Sequence, residues 1–262
     1  MSDAFRLDGK VVVLTGAAGI IGTEVARLFL ESGARVFAMD REAVLLEQRL
    51  GMPHDTLMTC VADVSSKDSV GQAFAQLQRA WGVPHVLLSN AAAKSANFFE
   101  PFETFALDEW NEVMAVNLTG AMLCAQVFGG AMAERGSGCV INTLSIYGIV
   151  APDQRLYEGS EYLGRAINTP AIYAASKAGL WGLTKYLAAY WGHRGVRVNA
   201  VTPGGVYSGQ NDTFVENYAR RTPLGRMAQA DDMANAMCYL ASDASKYITG
   251  HNLVVDGGWT VW

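Results

Sequence analysis

This 262-residue sequence predicts an α/β fold, with a doubly wound, mostly parallel seven-stranded sheet and helices on both faces. Three observations carry that expectation. Seven short apolar runs rich in β-branched residues recur along the chain and are continuous enough to be buried on both faces. Stretches of helical character separate them, as right-handed parallel crossovers require. No linker, repeat or low-complexity tract interrupts the alternation, and the length suits one large domain, so residues 1–262 are read as a single unit.

The first strand is the run 10–15, Lys-Val-Val-Val-Leu-Thr, followed by the glycine-bearing segment 16–22. A helix over 23–32 closes at Gly33, and a second strand over 34–39 ends in Asp40, which completes a βαβ unit. Strand 57–61, helix 66–81 and strand 86–89 follow. A long helix at 107–134, strand 139–144, a second long helix at 171–191 and strand 196–201 come next. Helix 230–242 and strand 252–255 close the fold.

Half of the residues are apolar and 17% are charged, which fits a buried core and argues against disorder. A net charge of −5 without a basic block disfavours nucleic acid or an anionic membrane as partner. No apolar run reaches the roughly 18 residues of a membrane span. The stretch Met1 to Asp8 lacks the basic-then-apolar order of a signal peptide, so a cytoplasmic location is expected. Cys60, Cys124, Cys139 and Cys238 are scattered and read as buried reduced thiols. The four histidines share no neighbourhood with acidic or thiol ligands, and no metal is assigned.

Two motifs point to chemistry. Between the first strand and helix lies Thr15-Gly16-Ala17-Ala18-Gly19-Ile20-Ile21-Gly22, in the context a dinucleotide-binding loop requires. Glycine lets the backbone approach a pyrophosphate, and a helix N-terminus offers free N–H groups at its positive end. Asp40, 24 residues past Gly16, stands where a carboxylate accepts hydrogen bonds from an adenosine ribose and repels a 2′-phosphate. This favours NAD over NADP, although Arg41 beside it is able to receive a 2′-phosphate. The second motif is Tyr173-Ala174-Ala175-Ser176-Lys177, which stacks a phenol and an ammonium on one helix face. Such a pair occurs by chance on many helices. If functional, the lysine charge should lower the tyrosine pKa from about 10 toward working pH and make it a general acid/base.

Loop, Tyr-x-x-x-Lys pair and sheet together resemble the short-chain dehydrogenase/reductase family over nearly the whole chain, which implies a Rossmann-type fold. Asp63-Val64 resembles the family pair that flanks the adenine. Asn90-Ala91-Ala92 resembles its Asn-Ala-Gly element, with Ala92 in place of the usual glycine. Asn117 resembles its helix asparagine, Ser145 its active-site serine, and Pro203-Gly204 its turn beside the nicotinamide. The resemblance implies a catalytic set of Asn117, Ser145, Tyr173 and Lys177. It implies cofactor contacts at Gly16, Gly19, Ile21, Asp40, Asp63, Val64, Asn90, Ala91 and Ala92. Tyr173, Lys177, Pro203, Gly204 and Val206 complete that set. In this scheme Tyr173 donates a proton to the carbonyl oxygen and Ser145 stabilises it. Lys177 lowers the Tyr173 pKa and holds the nicotinamide ribose, while Asn117 anchors a water that links Lys177 to solvent.

Two departures stand out. The loop glycines are spaced as Gly16, Gly19 and Gly22, with Ile20 where ordinary members carry their middle glycine. Ser145 and Tyr173 are 28 positions apart, which implies an insertion at about 153–169. That segment reads as polar, leaves a catalytic strand and returns to the catalytic helix, so a substrate lid is expected there. Its Arg155 and Arg165 are candidates for a substrate carboxylate or phosphate. The stretch 145–153 and the tail 256–260 resemble family members near flagellin-modification and acidic-sugar pathways, which points to a polar, sugar-like substrate.

Three functional readings stay open from the sequence. One is an NAD-dependent oxidoreductase of a polar, sugar-like alcohol or carbonyl. Another is an NADPH-dependent 3-oxoacyl-thioester reductase, which Asp40 and the negative charge oppose. The last is a non-catalytic dinucleotide-binding protein on the same fold, opposed by the complete catalytic set. Kinship implies a homotetramer, and the aromatic tail Trp259-Thr260-Val261-Trp262 is expected to be buried against a partner.

Overall fold

The computed structural model describes residues 3–162 and 164–262; the side chains of Tyr162, Arg165 and Ala166 lie outside the described residues. Seven strands form one sheet, and all of its pairings are parallel. They are β1 (Val11–Thr15), β2 (Arg35–Asp40), β3 (Leu57–Val61), β4 (Val86–Ser89), β5 (Gly138–Thr143), β8 (Val196–Pro203) and β9 (Asn252–Val255). Their order is β3-β2-β1-β4-β5-β8-β9. The chain winds outward one way from β1 to β3, then crosses back to β4, so a crevice opens between the C-terminal ends of β1 and β4.

Helices α1 (Ile20–Glu31), α2 (Ala43–Leu50) and α3 (Lys67–Trp81) connect the first four strands. Helix α1 begins three residues before its expected start because Gly19, in extended conformation, is its N-cap. Helix α4 runs Leu107–Arg135 and α5 runs Ala171–Trp191. Helix α4 is long and apolar enough to cross a membrane by length and composition, although the sequence shows no unbroken apolar run of that length. It lies on the sheet instead, where Leu123, Phe128 and Met132 join a core cluster with Val13 and Val140. The opposite face is covered by α1 and α7 (Ala230–Ala241), with Phe29 and Met237 packed over Val12 and Ile141.

Helices α2 and α6 (Asp212–Arg221) were not expected from the sequence. Helix α2 buries only Leu46, so its apolar periodicity is weak. Helix α6 is capped by Asn211, whose Oδ1 accepts from the Phe214 N–H at 2.9 Å, and it buries Phe214 and Tyr218. The insertion is not a bare loop: a short helical turn at Gln154–Tyr157 precedes an antiparallel hairpin of β6 (Glu161–Tyr162) and β7 (Arg165–Ala166). Nor is it uniformly polar. Leu156, Tyr157 and Ile167 join a cluster with Ile146, Phe214 and Trp259, which seats the segment on α6. All four cysteines are buried and free, and burial pushes Cys124 up to about 12.

Candidate active site

The strand register brings the C-terminal residues of β4, β5 and β8 to one rim, with Ser89 opposite Asn142 and Thr143 opposite Val201. Thr15 ends β1 at that rim, and its Oγ1 accepts from the N–H groups of Asn90 and Ala91 at 3.0 and 3.1 Å. Asn90 in turn donates to the Gly16 carbonyl at 3.2 Å and accepts from Thr143 Oγ1 at 3.3 Å. One side chain therefore ties the glycine loop to the catalytic strand.

The glycine loop fits a dinucleotide. Gly16 has φ of +66°, and a Cβ there would lie 2.8 Å from Ala91 Cα, so neither the conformation nor the space admits a side chain. A Cβ on Gly22 would lie 2.1 Å from the Gly16 carbonyl, which is the close helix–strand packing a third glycine permits. Ile20 points outward and is 43% exposed, so the position without the family glycine costs no packing. Gly19 caps α1 without a side-chain oxygen, which leaves first-turn N–H groups available to an anion. Replacing Gly16 by valine should abolish NADH binding while the far-UV spectrum persists, as titration of cofactor fluorescence would show.

Asp40 sits beside this loop, where its Oδ2 accepts from the Ala18 N–H at 3.0 Å and its Oδ1 from the Glu42 N–H at 3.2 Å. The Arg41 guanidinium is exposed and paired with Glu42 at 3.4 Å. Asp40, Asp63, Val64, Gly16, Ala91 and Ala92 border a small cavity of about 100 Å³. Ile21, Asn90, Pro203, Gly204, Val206 and again Ala92 border a larger one of about 600 Å³, which also holds Ser145, Tyr173 and Lys177. Ala92 is common to both, so the expected cofactor residues, except Gly19 at the helix cap, line two cavities that meet at Ala92.

At the far end, Tyr173 and Lys177 share the first turns of α5, with the ammonium 5.9 Å from the phenol ring centroid. Lys177 is 2% exposed, and its Nζ donates to the Thr143 carbonyl at 2.8 Å. Ser145 follows β5 and accepts from the Tyr147 N–H at 3.2 Å. A Cβ on Gly148 would lie 2.8 Å from the Lys177 backbone, so the Ser145–Gly148 turn presses directly on α5. Gly148→Val should push that turn away and cost most of the turnover, measured beside an unchanged NADH affinity.

The expected lowering of the Tyr173 pKa is not what the structure gives. Burial holds the phenol above its ordinary value, hydrogen bonding with Ser145 pulls the other way, and nearby Tyr157 adds to the rise. Lys177 is the group brought toward working pH, to about 8, because it too is buried. Its ammonium is spent on the Thr143 carbonyl rather than on the phenol. Spacing on a helix signalled proximity but not desolvation.

Asn117 is 1% exposed and lies in a π-helical stretch, Ala115–Gly120, within α4. Its Oδ1 accepts from the Ala93 N–H at 2.8 Å and its Nδ2 donates to Ser176 Oγ at 3.3 Å. It thus braces the loop after β4 against the catalytic helix, with one amide proton and one lone pair to spare. Arg155 is paired with Asp153 at 2.8 Å, away from the cavity, and the Arg165 side chain lies outside the described residues. Sequence reasoning missed Tyr147, Phe98 and Phe214 as lining of the cavity. No fixed spacing marks them, although Tyr147 lies two residues past Ser145. Among the described residues, no cluster of three or more histidine, cysteine or acidic side chains is placed to hold a metal ion.

A family model described as enoyl-(acyl carrier protein) reductase matches residues 16–260. The chain is 37% identical to a galactitol 2-dehydrogenase (L-tagatose-forming) of Cereibacter sphaeroides, covering 98% of each. It superposes with a TM-score of 0.87 on a short chain dehydrogenase of Leptospira borgpetersenii with bound NAD+, at 34% identity over 99% of this chain and 96% of that one. A gluconate 5-dehydrogenase of Burkholderia cenocepacia in complex with NADP and tartrate gives a TM-score of 0.86 at 31% identity, over 99% and 98% of the two chains.

Proposed function

The chain belongs to the short-chain dehydrogenase/reductase family and is an NAD(P)-dependent oxidoreductase acting on CH–OH donors, and on that premise we propose an NAD-dependent dehydrogenase of sugar-like alcohols. The observation that supports it best is a pair of cavities that share Ala92, one bordered by Asp40 and the other by Ser145, Tyr173 and Lys177. A nicotinamide dinucleotide bound there supplies the hydride donor or acceptor. Gly16, the α1 N-terminus, Asp40, Asp63, Val64 and the Pro203-Gly204 turn hold it. Tyr173 exchanges the proton of the reacting hydroxyl, Ser145 donates a hydrogen bond to the oxygen on which charge develops, and Lys177 carries the proton between them and solvent. Asn117 keeps the two sides of the cleft in register.

Preference for NAD rests on Asp40, whose carboxylate opposes a 2′-phosphate; Arg41 borders the same small cavity. The substrate class is a neutral polyol or an acidic sugar of the same size, by kinship to the galactitol and gluconate enzymes. An acyl-thioester substrate would call for NADPH and a basic docking patch, whereas the chain carries a net charge of −5. A cytoplasmic homotetramer completes the reading. The support for an oligomer is exposed apolar surface: Tyr186 and Tyr190 stack on the outside of α5, and Trp262 is 73% exposed. Trp259, by contrast, is buried within its own chain against Tyr147 and Tyr218.

The test is binding of NADH and NADPH by fluorescence, then turnover of alditols, aldonates and 3-oxoacyl thioesters with each cofactor. Tighter NADH binding with turnover of an alditol or aldonate is expected, and Asp40→Ala should relax the preference roughly tenfold, the effect of about 1.4 kcal/mol. A wild type that prefers NADPH and reduces the thioester would replace this reading by the acyl one.

A further inference from the structure

The insertion places a second phenol in the substrate cavity, against one that follows Ser145. Tyr147 is fixed by its backbone N–H, which donates to Ser145 Oγ at 3.2 Å, and by its edge-on contact with Trp259 at 5.9 Å. Tyr157 enters from the insertion and stacks on Phe214 at 5.5 Å. Its hydroxyl donates to Tyr147 Oη at 3.2 Å and is also hydrogen-bonded to Thr169 Oγ1. All three side chains line the cavity that holds Tyr173 and Ser145.

We propose that the Tyr147, Tyr157 and Thr169 hydroxyls form a subsite for a substrate hydroxyl on the carbon next to the reacting one, so that the enzyme selects vicinal diols. Three hydroxyls bring three protons and six lone pairs. Bonds within the trio use at most one lone pair per proton, so acceptor capacity is left over in a cavity that apolar Ile146, Val206 and Met227 and polar Glu161, Asn168 and Gln210 also line. A substrate O–H aimed at this trio finds an acceptor, and an analogue lacking it forfeits that hydrogen bond. The trio is held at both ends, by the Ser145 turn on one side and by Gln154 on the other, which donates to the Thr169 carbonyl at 3.0 Å. Its hydroxyls are therefore set in place before substrate arrives. Tyr147 stands two residues past Ser145, and Tyr157 lines the same cavity as Tyr173.

This inference rests on the polyol reading above and deepens it. The probes are the best alditol of the panel and its deoxy analogue lacking the neighbouring hydroxyl, each assayed for kcat and KM. The wild type should favour the alditol by at least about tenfold in kcat/KM, as loss of one buried hydrogen bond implies. Tyr157→Phe keeps the stack on Phe214, and Tyr147→Phe keeps the contact with Trp259. Each should cut that preference roughly tenfold, chiefly through KM, with NADH affinity unchanged. Thr169→Ser should retain the preference. Equal losses on both probes would reduce the trio to a clasp for the insertion and overturn the proposal, as would a preference that survives both tyrosine variants. If Tyr157→Phe fails to fold, Tyr147→Phe decides alone. A wild type inactive on every alditol and aldonate would sink the function reading and this subsite with it. Activity without preference for the diol would sink the subsite only.

Discussion

Tyr173→Phe should lower turnover by about 10³-fold, a loss of about 4 kcal/mol of transition-state stabilisation. The ring of Tyr173 meets Phe98 edge-on at 6.2 Å, and phenylalanine preserves that contact. What goes is the phenolic O–H hydrogen-bonded with Ser145, which exchanges the proton of the substrate oxygen. NADH affinity should hold, because the glycine loop, Asp40 and the Pro203-Gly204 turn are untouched. Stopped-flow turnover with a parallel binding titration separates the two effects. A variant that keeps most of its activity would remove Tyr173 from the acid/base role and shift attention to the other cavity tyrosines.

Lys177→Met should abolish the pH dependence near 8 and lower the neutral-pH rate of alcohol oxidation by roughly 10²-fold. Burial brings the Lys177 ammonium down to about 8, whereas Tyr173 is held above its ordinary value. Oxidation delivers a proton to the site, so the site must start deprotonated, and kcat/KM for oxidation should rise with pH through about 8. Reduction takes a proton from the site, so its rate should fall through the same region. With methionine at this position, oxidation should rise only in the tyrosine range, displaced upward by burial. An unchanged inflection near 8 in Lys177→Met would assign the titration to another group.

Much of this arrangement was legible in the sequence because it depends on local spacing. The strand-loop-helix context exposed Gly16 and Gly22, and a Tyr-x-x-x-Lys pair on an apolar helix exposed Tyr173 and Lys177. Asp40 was legible because a parallel β2 must end beside the loop that follows β1. The remainder depends on tertiary context. Whether Lys177 or Tyr173 titrates nearer neutrality is decided by burial and by the Thr143 carbonyl, neither of which helical spacing contains. Helix α6 was hidden because its apolar face, Phe214 and Tyr218, has meaning only once the insertion packs upon it. Trp259 read as an interface residue because the sequence does not show that Tyr147, Tyr218 and Arg221, whose guanidinium lies 5.0 Å from its ring, surround it in its own chain. The Tyr147–Tyr157–Thr169 cluster joins residues up to 22 positions apart through an irregular segment, and no periodic pattern encodes that closure.

The most direct test of hydride exchange at the Tyr173 end of the cleft uses an alditol deuterated at its carbinol carbons. The purified protein and NAD+ are incubated with it, and the reduced cofactor is analysed by mass spectrometry. One deuterium per reduced nicotinamide is expected, together with a slowed turnover whenever the transfer step limits the rate. Reduced cofactor without deuterium, or a ketose product without reduced cofactor, would contradict the account.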